Sequence, residues 1–147
     1  MLKIIFGTES GNAEMAAEDM ATTLNNGGKT ASIVAMDEYH VSELSNESHI
    51  ILITSTYGEG ELPLTAAPFY SKLNESRPNL SGVKFSAFGL GDSTYETYNQ
   101  AIKAFIALMK ELGAEQFGDP GFHDAALPYP VGDIAACWAS RQFLFSV

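Results

Sequence analysis

Five apolar, β-branched runs, each set off from the next by a helical pattern, constrain this chain more than any other feature. The runs are Leu2–Gly7, Thr30–Met36, His49–Thr54, Val83–Gly89 and a short one at Glu115–Gly118. They are apolar almost residue by residue, which is how strands read when both faces of their sheet are covered. Between them, apolar residues recur three or four apart, the spacing of a helix face. Ala13, Ala17, Met20 and Leu24 line the first helix, and Gly27-Gly28 end it. Val41 and Leu44 mark a short second helix; Ala66, Phe69, Tyr70 and Leu73 a third, with Pro78 beyond it. Ile102, Phe105, Ile106 and Met109 line a fourth, stopped by Gly113, and Ile134, Trp138 and Phe145 a last one. This alternation predicts an α/β fold: a five-stranded parallel sheet in the order 2-1-3-4-5, helices on both faces, right-handed crossovers between strands. With 147 residues and no repeat, linker or low-complexity tract, the chain reads as one domain over 1–147.

Charge and cysteine usage narrow the partners. Eighteen acidic against eight basic residues leave a net charge of −10, which disfavours nucleic acid and anionic membrane and suits basic protein surfaces. No apolar run approaches the ~20 residues of a membrane span. The amino terminus lacks the basic-then-apolar layout of a signal peptide. The lone Cys137 excludes an internal disulfide and a thiolate cluster, and a reducing, cytoplasmic address follows.

In a doubly wound sheet, ligands sit beyond the carboxyl ends of the strands, where the strand order reverses. That rule selects three loops: Thr8–Ala13, Ser55–Thr65 and Gly89–Asn99. The first follows strand one and opens a helix, so its backbone N–H groups form an anion site. It holds hydroxyls, an amide and a glycine but no Lys or Arg, so a phosphate there would meet neutral donors. The other two are rich in Gly, hydroxyl residues and Tyr, again without Lys or Arg. Such loops suit a flat heterocycle, with Tyr rings on its faces and backbone amides at its rim.

The motifs Thr8-x-Ser10-Gly11-Asn12-Ala13, Ser55-Thr56-Tyr57-Gly58-Glu59-Gly60 and Phe88-Gly89-Leu90-Gly91-Asp92-Ser93-Thr94-Tyr95-x-x-Tyr98-Asn99 resemble the three FMN loops of the flavodoxin family. They are most similar to the FMN domains of cytochrome P450 reductase and sulfite reductase and to the small MioC-type flavodoxins. The resemblance covers essentially the whole chain, and it is the three motifs in order that carry it. It implies that Thr8, Glu9, Ser10, Gly11, Asn12 and Ala13 wrap the ribityl phosphate. Tyr57 and Tyr95 would flank the ring, and the backbone of Thr56, Gly58, Gly91 and Asp92 would meet its polar edge. Ser55, Glu59, Gly60, Gly89 and Leu90 complete the two ring-side loops; Asn99 would support the third loop, and Tyr98 would pack within it. The short stretch before the last helix resembles short-chain flavodoxins. Those reductase domains carry a Gly-Asp-Asp-type turn after strand five, where this chain has Gly118-Asp119-Pro120-Gly121-Phe122-His123-Asp124. Flavin contact from Asp119 or Asp124 is therefore left open.

Competing motifs are incomplete. Gly89-x-Gly91 and Gly58-x-Gly60 reach Thr94 and Pro63 where a dinucleotide fingerprint needs its third glycine, and neither follows strand one. His40, His49 and His123 lack metal-ligand spacing and read as surface residues; Cys137 beside Trp138 reads as core packing. The loops hold neither His nor Cys, so no nucleophile-and-base pair forms from them. A phosphorylated receiver would need an acid ending strand three, where Thr54 and Ser55 stand.

The expected function is that of a monomeric, FMN-binding one-electron carrier, taking electrons from a separate flavodoxin reductase-type donor and passing them to an acceptor oxidoreductase. Glu9, Glu59, Glu61, Asp92 and Glu96 would form an acidic rim for basic partners. The rival reading is a catalytic FMN-dependent quinone reductase of the same fold.

Overall fold

A computed structural model of the chain describes residues 2–8, 11–56, 61–94 and 99–144. The apolar runs lie side by side as β1 (Leu2–Gly7), β2 (Ala31–Ala35), β3 (His49–Ser55), β4 (Lys84–Gly91) and β5 (Glu115–Gln116). All pair in parallel, in the predicted order β2-β1-β3-β4-β5. The helices are α1 (Asn12–Asn26), α2 (Ala67–Ser76), α3 (Gln100–Glu111) and α4 (Val131–Phe143).

The near-continuous apolar character of the strands has the expected cause. Ile5, Ile50, Leu52, Phe85 and Ala87 face a core shared with α2 and α3, while Ile4, Phe6, Ile51, Ile53, Phe88 and Leu90 face one shared with α1 and α4. Burying one Ile or Phe side chain is worth about 1.5–3 kcal/mol, against a spread of about 1 kcal/mol across strand propensities. Burial on two faces therefore selects these runs. Helix ends follow the glycines: Gly28 (φ 93°) lies in the left-handed region after α1, and Lys29 N–H reaches back to Leu24 O at 3.0 Å. Gly113 (φ 101°) plays the same part after α3.

Three expectations are corrected. The fifth strand ends at Gln116 instead of Gly118, and pairing with β4 resumes as β6 (Gly121–Asp124) opposite Phe88–Gly91. Between Phe85↔Gln116 and Phe88↔Gly121 the pairing offset lengthens by two residues. Gly118 (φ 72°) turns the chain out of the ladder, and Pro120 has no N–H to give it. Trp138 Nε1 donates to Asp119 O across the break (3.1 Å). The second helix is a pair of 3₁₀ segments, Met36–Glu38 and Val41–Asn46, with Val41 and Leu44 buried three apart, the eclipsed spacing of that helix. Cys137 is exposed and not in the core. Its neighbours Trp138 and Ala139 face the sheet, and one residue's step around the helix turns Cys137 outward.

Candidate functional site

β1 runs on into α1 on one face of the sheet, whereas β3 leads to α2 on the other. The chain thus diverges beyond the carboxyl ends of two adjacent strands, the point at which doubly wound sheets bind their ligands. Thr8, Gly11, Asn12, Ala13, Ser55, Thr56, Gly89, Leu90, Gly91, Asp92 and Asn99 all stand at this end, on the ends of β1, β3 and β4 or at the starts of α1 and α3. Glu9, Ser10, Tyr57, Gly58, Glu59, Gly60, Tyr95, Glu96 and Tyr98 lie outside the described residues, as does Phe145.

The first loop is built to leave helix amides open. Gly11 occupies the N-cap of α1, in the left-handed region (φ 93°) that glycine enters without strain. Its N–H donates to Thr8 Oγ1 at 2.7 Å, and its own missing side chain caps nothing. The first-turn N–H groups of α1 therefore keep their capacity for an outside acceptor. An added Cβ on Gly11 would meet nothing within 4 Å among the described residues.

The other two loops are tied together by Thr56. Its N–H donates to Leu90 O at 2.9 Å, and its Oγ1 accepts from Ala101 N at 3.1 Å, capping α3 from a different segment of the chain. Asn99 holds the N-cap position of α3 but makes no capping bond. It is fully buried, adopts φ 56°, and its side-chain nitrogen and oxygen have no hydrogen-bond partner among the described residues. A buried amide left so costs about 1–3 kcal/mol. Gly89 packs against it: a Cβ there would lie 2.4 Å from Ile102 Cγ2 and 2.8 Å from Asn99 Oδ1.

Two acids brace the third loop. Asp92 Oδ1 accepts from Thr94 N (2.9 Å) and Thr94 Oγ1 (2.6 Å), closing a local turn, so one of the predicted rim carboxylates also shapes the loop. Asp124 Oδ1 accepts from Ser93 N (2.9 Å) and Ala126 N (3.0 Å), and Ala125 N donates to Gly91 O (2.8 Å). Hydrogen bonds from Ser93 are the main reason the Asp124 carboxyl titrates below its ordinary value. Asp124 thus acts on the site by holding loop three to the segment after β6.

Sequence reasoning missed the role of Thr65, and it considered Asp124 only as an open flavin contact, not as the brace on Ser93. Thr65 Oγ1 accepts from Thr8 N (2.8 Å) and donates to Thr8 O (3.2 Å) across 57 positions of chain. No local spacing signals a contact of that span. Glu61 is exposed, as a rim residue should be.

The arrangement fits FMN on its own chemistry. The uncapped amides and neutral donors at the start of α1 suit a phosphate, and the glycine-rich ends of β3 and β4, with a buried amide beneath them that is unpaired among the described residues, suit a flat ring. Comparison with known proteins agrees. The flavodoxin family model matches residues 4–137. The chain is 35% identical over 141 residues to NADPH-dependent diflavin oxidoreductase 1 of Cryptococcus neoformans, covering 94% of this chain and 23% of that protein. It is 35% identical over 114 residues to the sulfite reductase [NADPH] flavoprotein alpha-component of Mannheimia succiniciproducens, covering 77% of this chain and 19% of that protein. It spans less than a quarter of either relative's length. Among solved structures, oxidised flavodoxin 2 of Bacillus cereus superposes with a TM-score of 0.81 at 28% identity, covering 94% of each chain.

Proposed function

Since this chain belongs to the flavodoxin family, whose cofactor is FMN, we propose that it is a one-electron carrier between a reductase and an acceptor oxidoreductase. Bound FMN supplies the redox chemistry, and the protein supplies binding, orientation and electrostatics. The loop Thr8–Ala13 holds the phosphate on neutral donors. Thr56, Gly91 and Asp92, at the ends of β3 and β4, are our candidates for the ring's polar edge, and Tyr57 and Tyr95, outside the described residues, are assigned to its faces by the family resemblance alone.

One observation carries the docking half of this reading. Every exposed large apolar residue among those described (Met15, Leu64, Phe122, Leu127 and Tyr129) lies on the carboxyl side of the sheet. Met15 is in the first turns of α1, Leu64 follows β3, Phe122 is on β6, and Leu127 and Tyr129 lead into α4. Glu14, Glu61, Asp92, Asp124 and Asp133 are at the same end. Exposed apolar residues at one end, with Phe122, Leu127 and Tyr129 grouped together there and acids at the same end, suit a partner that presents an apolar contact within a basic one. Electrons would then leave and enter where the flavin is nearest the surface.

A basic electron acceptor such as cytochrome c tests this. The FMN-loaded protein, chemically reduced and mixed with cytochrome c, should react more slowly as ionic strength rises and the Debye length falls from about 30 Å at 0.01 M to about 8 Å at 0.15 M. Without a reductase, NAD(P)H and a quinone should give no turnover. Quinone turnover by the protein alone would replace the carrier with the quinone reductase, and a rate that rises with salt would remove the acidic docking face.

A further inference from the structure

The loop after β3 carries a threonine near each end, Thr56 and Thr65, and each grips a different neighbour. Thr56 holds the end of β4 and the start of α3. Thr65 holds Thr8, at the start of the phosphate loop, through both backbone groups. We propose that Thr65 is a positioning residue that couples the phosphate loop to the ring-side loop, so that filling one prepares the other.

The geometry supports transmission in both directions. The β1–β3 ladder ends at Gly7↔Thr54, so the N–H and C=O of Thr8 fall just past it. One hydroxyl, Thr65 Oγ1, accepts from that N–H and donates to that C=O, standing in for a missing strand neighbour. Thr8 Oγ1 in turn accepts from Gly11 N–H, so the position of Thr65 sets Thr8, and Thr8 sets the turn that opens α1. The backbones are pressed together as well. A Cβ on Gly7 would lie 2.6 Å from Ala66 Cβ and 3.3 Å from Ala66 Cα. On the far side, Pro63 O accepts from both Ala66 N (2.9 Å) and Ala67 N (3.0 Å), making 63–67 one tight turn at the end of the ring-side loop. A shift of the phosphate loop therefore cannot be absorbed at Thr8; it passes through Thr65 into that turn. The inference rests on FMN as the cofactor and not on the carrier reading. A protein that binds FMN yet passes no electrons to cytochrome c fails the carrier reading alone.

Riboflavin and inorganic phosphate separate the two halves of the ligand. In the parent apoprotein, saturating inorganic phosphate should tighten riboflavin by at least about fivefold, the lower end of what coupled sites show. In Thr65→Val, which keeps the shape and loses the hydroxyl, that factor should fall below about twofold, and Thr65→Ser should restore it. A Thr65 that merely stabilised the fold would weaken riboflavin equally with and without phosphate. An unchanged factor in Thr65→Val, or no coupling in the parent, overturns the proposal. Should Thr65→Val fail to fold, amide exchange in the parent decides. Phosphate should slow exchange at Ala66 and Ala67, and exchange there that ignores phosphate overturns the coupling.

Discussion

The two ends of the sheet are built from the same strands and helices and differ in which of their polar groups are paired. At the amino end, the polar groups around His49 are paired within the fold, although Ser32 Oγ on β2 is buried without a partner among the described residues. His49 sits edge-on to Phe117 (ring centroids 5.0 Å apart) and Phe143 (5.2 Å), and its Nε2 lies 3.1 Å from Ser86 Oγ. Ser86 Oγ donates to Phe117 O at 3.0 Å, which leaves it to accept from Nε2–H. The half-buried His49 is therefore a packing residue beside a cavity of about 280 Å³, and not the surface histidine its spacing suggested. At the carboxyl end, α1 lacks a side-chain cap and Asn99 is buried without a partner among the described residues. The His49 cluster spends its hydrogen bonds within the fold, whereas the start of α1 and Asn99 leave theirs open among the described residues, at the end where we propose that the cofactor binds.

Charge follows the same division. Lys3, Lys29, Arg77, Lys84, Lys110 and Arg141, six of the eight basic residues, stand at the amino end. Part of this is helix chemistry, since helices antiparallel to the strands point positive dipole ends at the carboxyl side. Glu14 and Asp133 in first turns and Lys110 and Arg141 in last turns answer that dipole. Lys3, Lys29 and Lys84 lie on strands or connections, where the dipole gives no such reason.

The sharpest way to break the comparison is one change made at both ends. Gly89→Ala forces a Cβ into Ile102 and Asn99, whereas Gly82→Ala at the amino end meets nothing within 4 Å. The first should cost the apoprotein about 1–3 kcal/mol in urea unfolding and the second should stay within about 0.5 kcal/mol. Equal costs would mean the carboxyl end is no more tightly fitted than the other.

Acid should then expose the two ends by different chemistry. Burial is the main cause that lowers the His49 pKa to about 4, with the charges of Lys84 and the amino terminus adding to it. The fold prefers the neutral ring, so its contribution is complete above the ordinary value near 6.5 and is lost as pH falls toward 4. His49→Gln, which can still donate to Ser86, should flatten the fall of the urea midpoint between pH 6.5 and 4.5; parallel curves for parent and variant would show that another group carries it. Asp124 works on the carboxyl side with a pKa held down by Ser93. Its contribution is present above the ordinary carboxylate range and disappears as pH drops through the lowered value. FMN affinity should therefore weaken in acid more in the parent than in Asp124→Ala, which has lost the brace already. Fluorescence titration at several pH values reads this directly.

The smallest effect concerns single charges. At an assumed ~10 Å in water-like dielectric, one charge is worth about 0.4 kcal/mol, or about a factor of two in rate. Glu61→Gln should slow reduction of cytochrome c at low salt by that amount, while Glu115→Gln, at the amino end, should leave it unchanged. Equal slowing by both would make net charge, and not its placement, the determinant.

The strands, their order and the three loops were legible in the chain because their signals are local. Apolar runs reveal two-face burial, glycines mark helix ends, and a parallel sheet puts its ligand loops on one side by construction. Thr8-x-Ser10-Gly11, Ser55–Gly60 and Phe88–Asn99 added the family and its cofactor. Only the tertiary structure decided how those loops are joined. Thr65 and Thr8 are 57 positions apart, and Asp124 and Ser93 are 31 apart. Hydrogen bonds of that span depend on where the sheet sets each loop and leave no periodicity to read. The same holds for the break between Gln116 and Gly121, where the two-residue slip against β4 is a matter of register. It holds too for Cys137 and His49, whose exposure depends on what packs against them and not on what precedes or follows them in the chain.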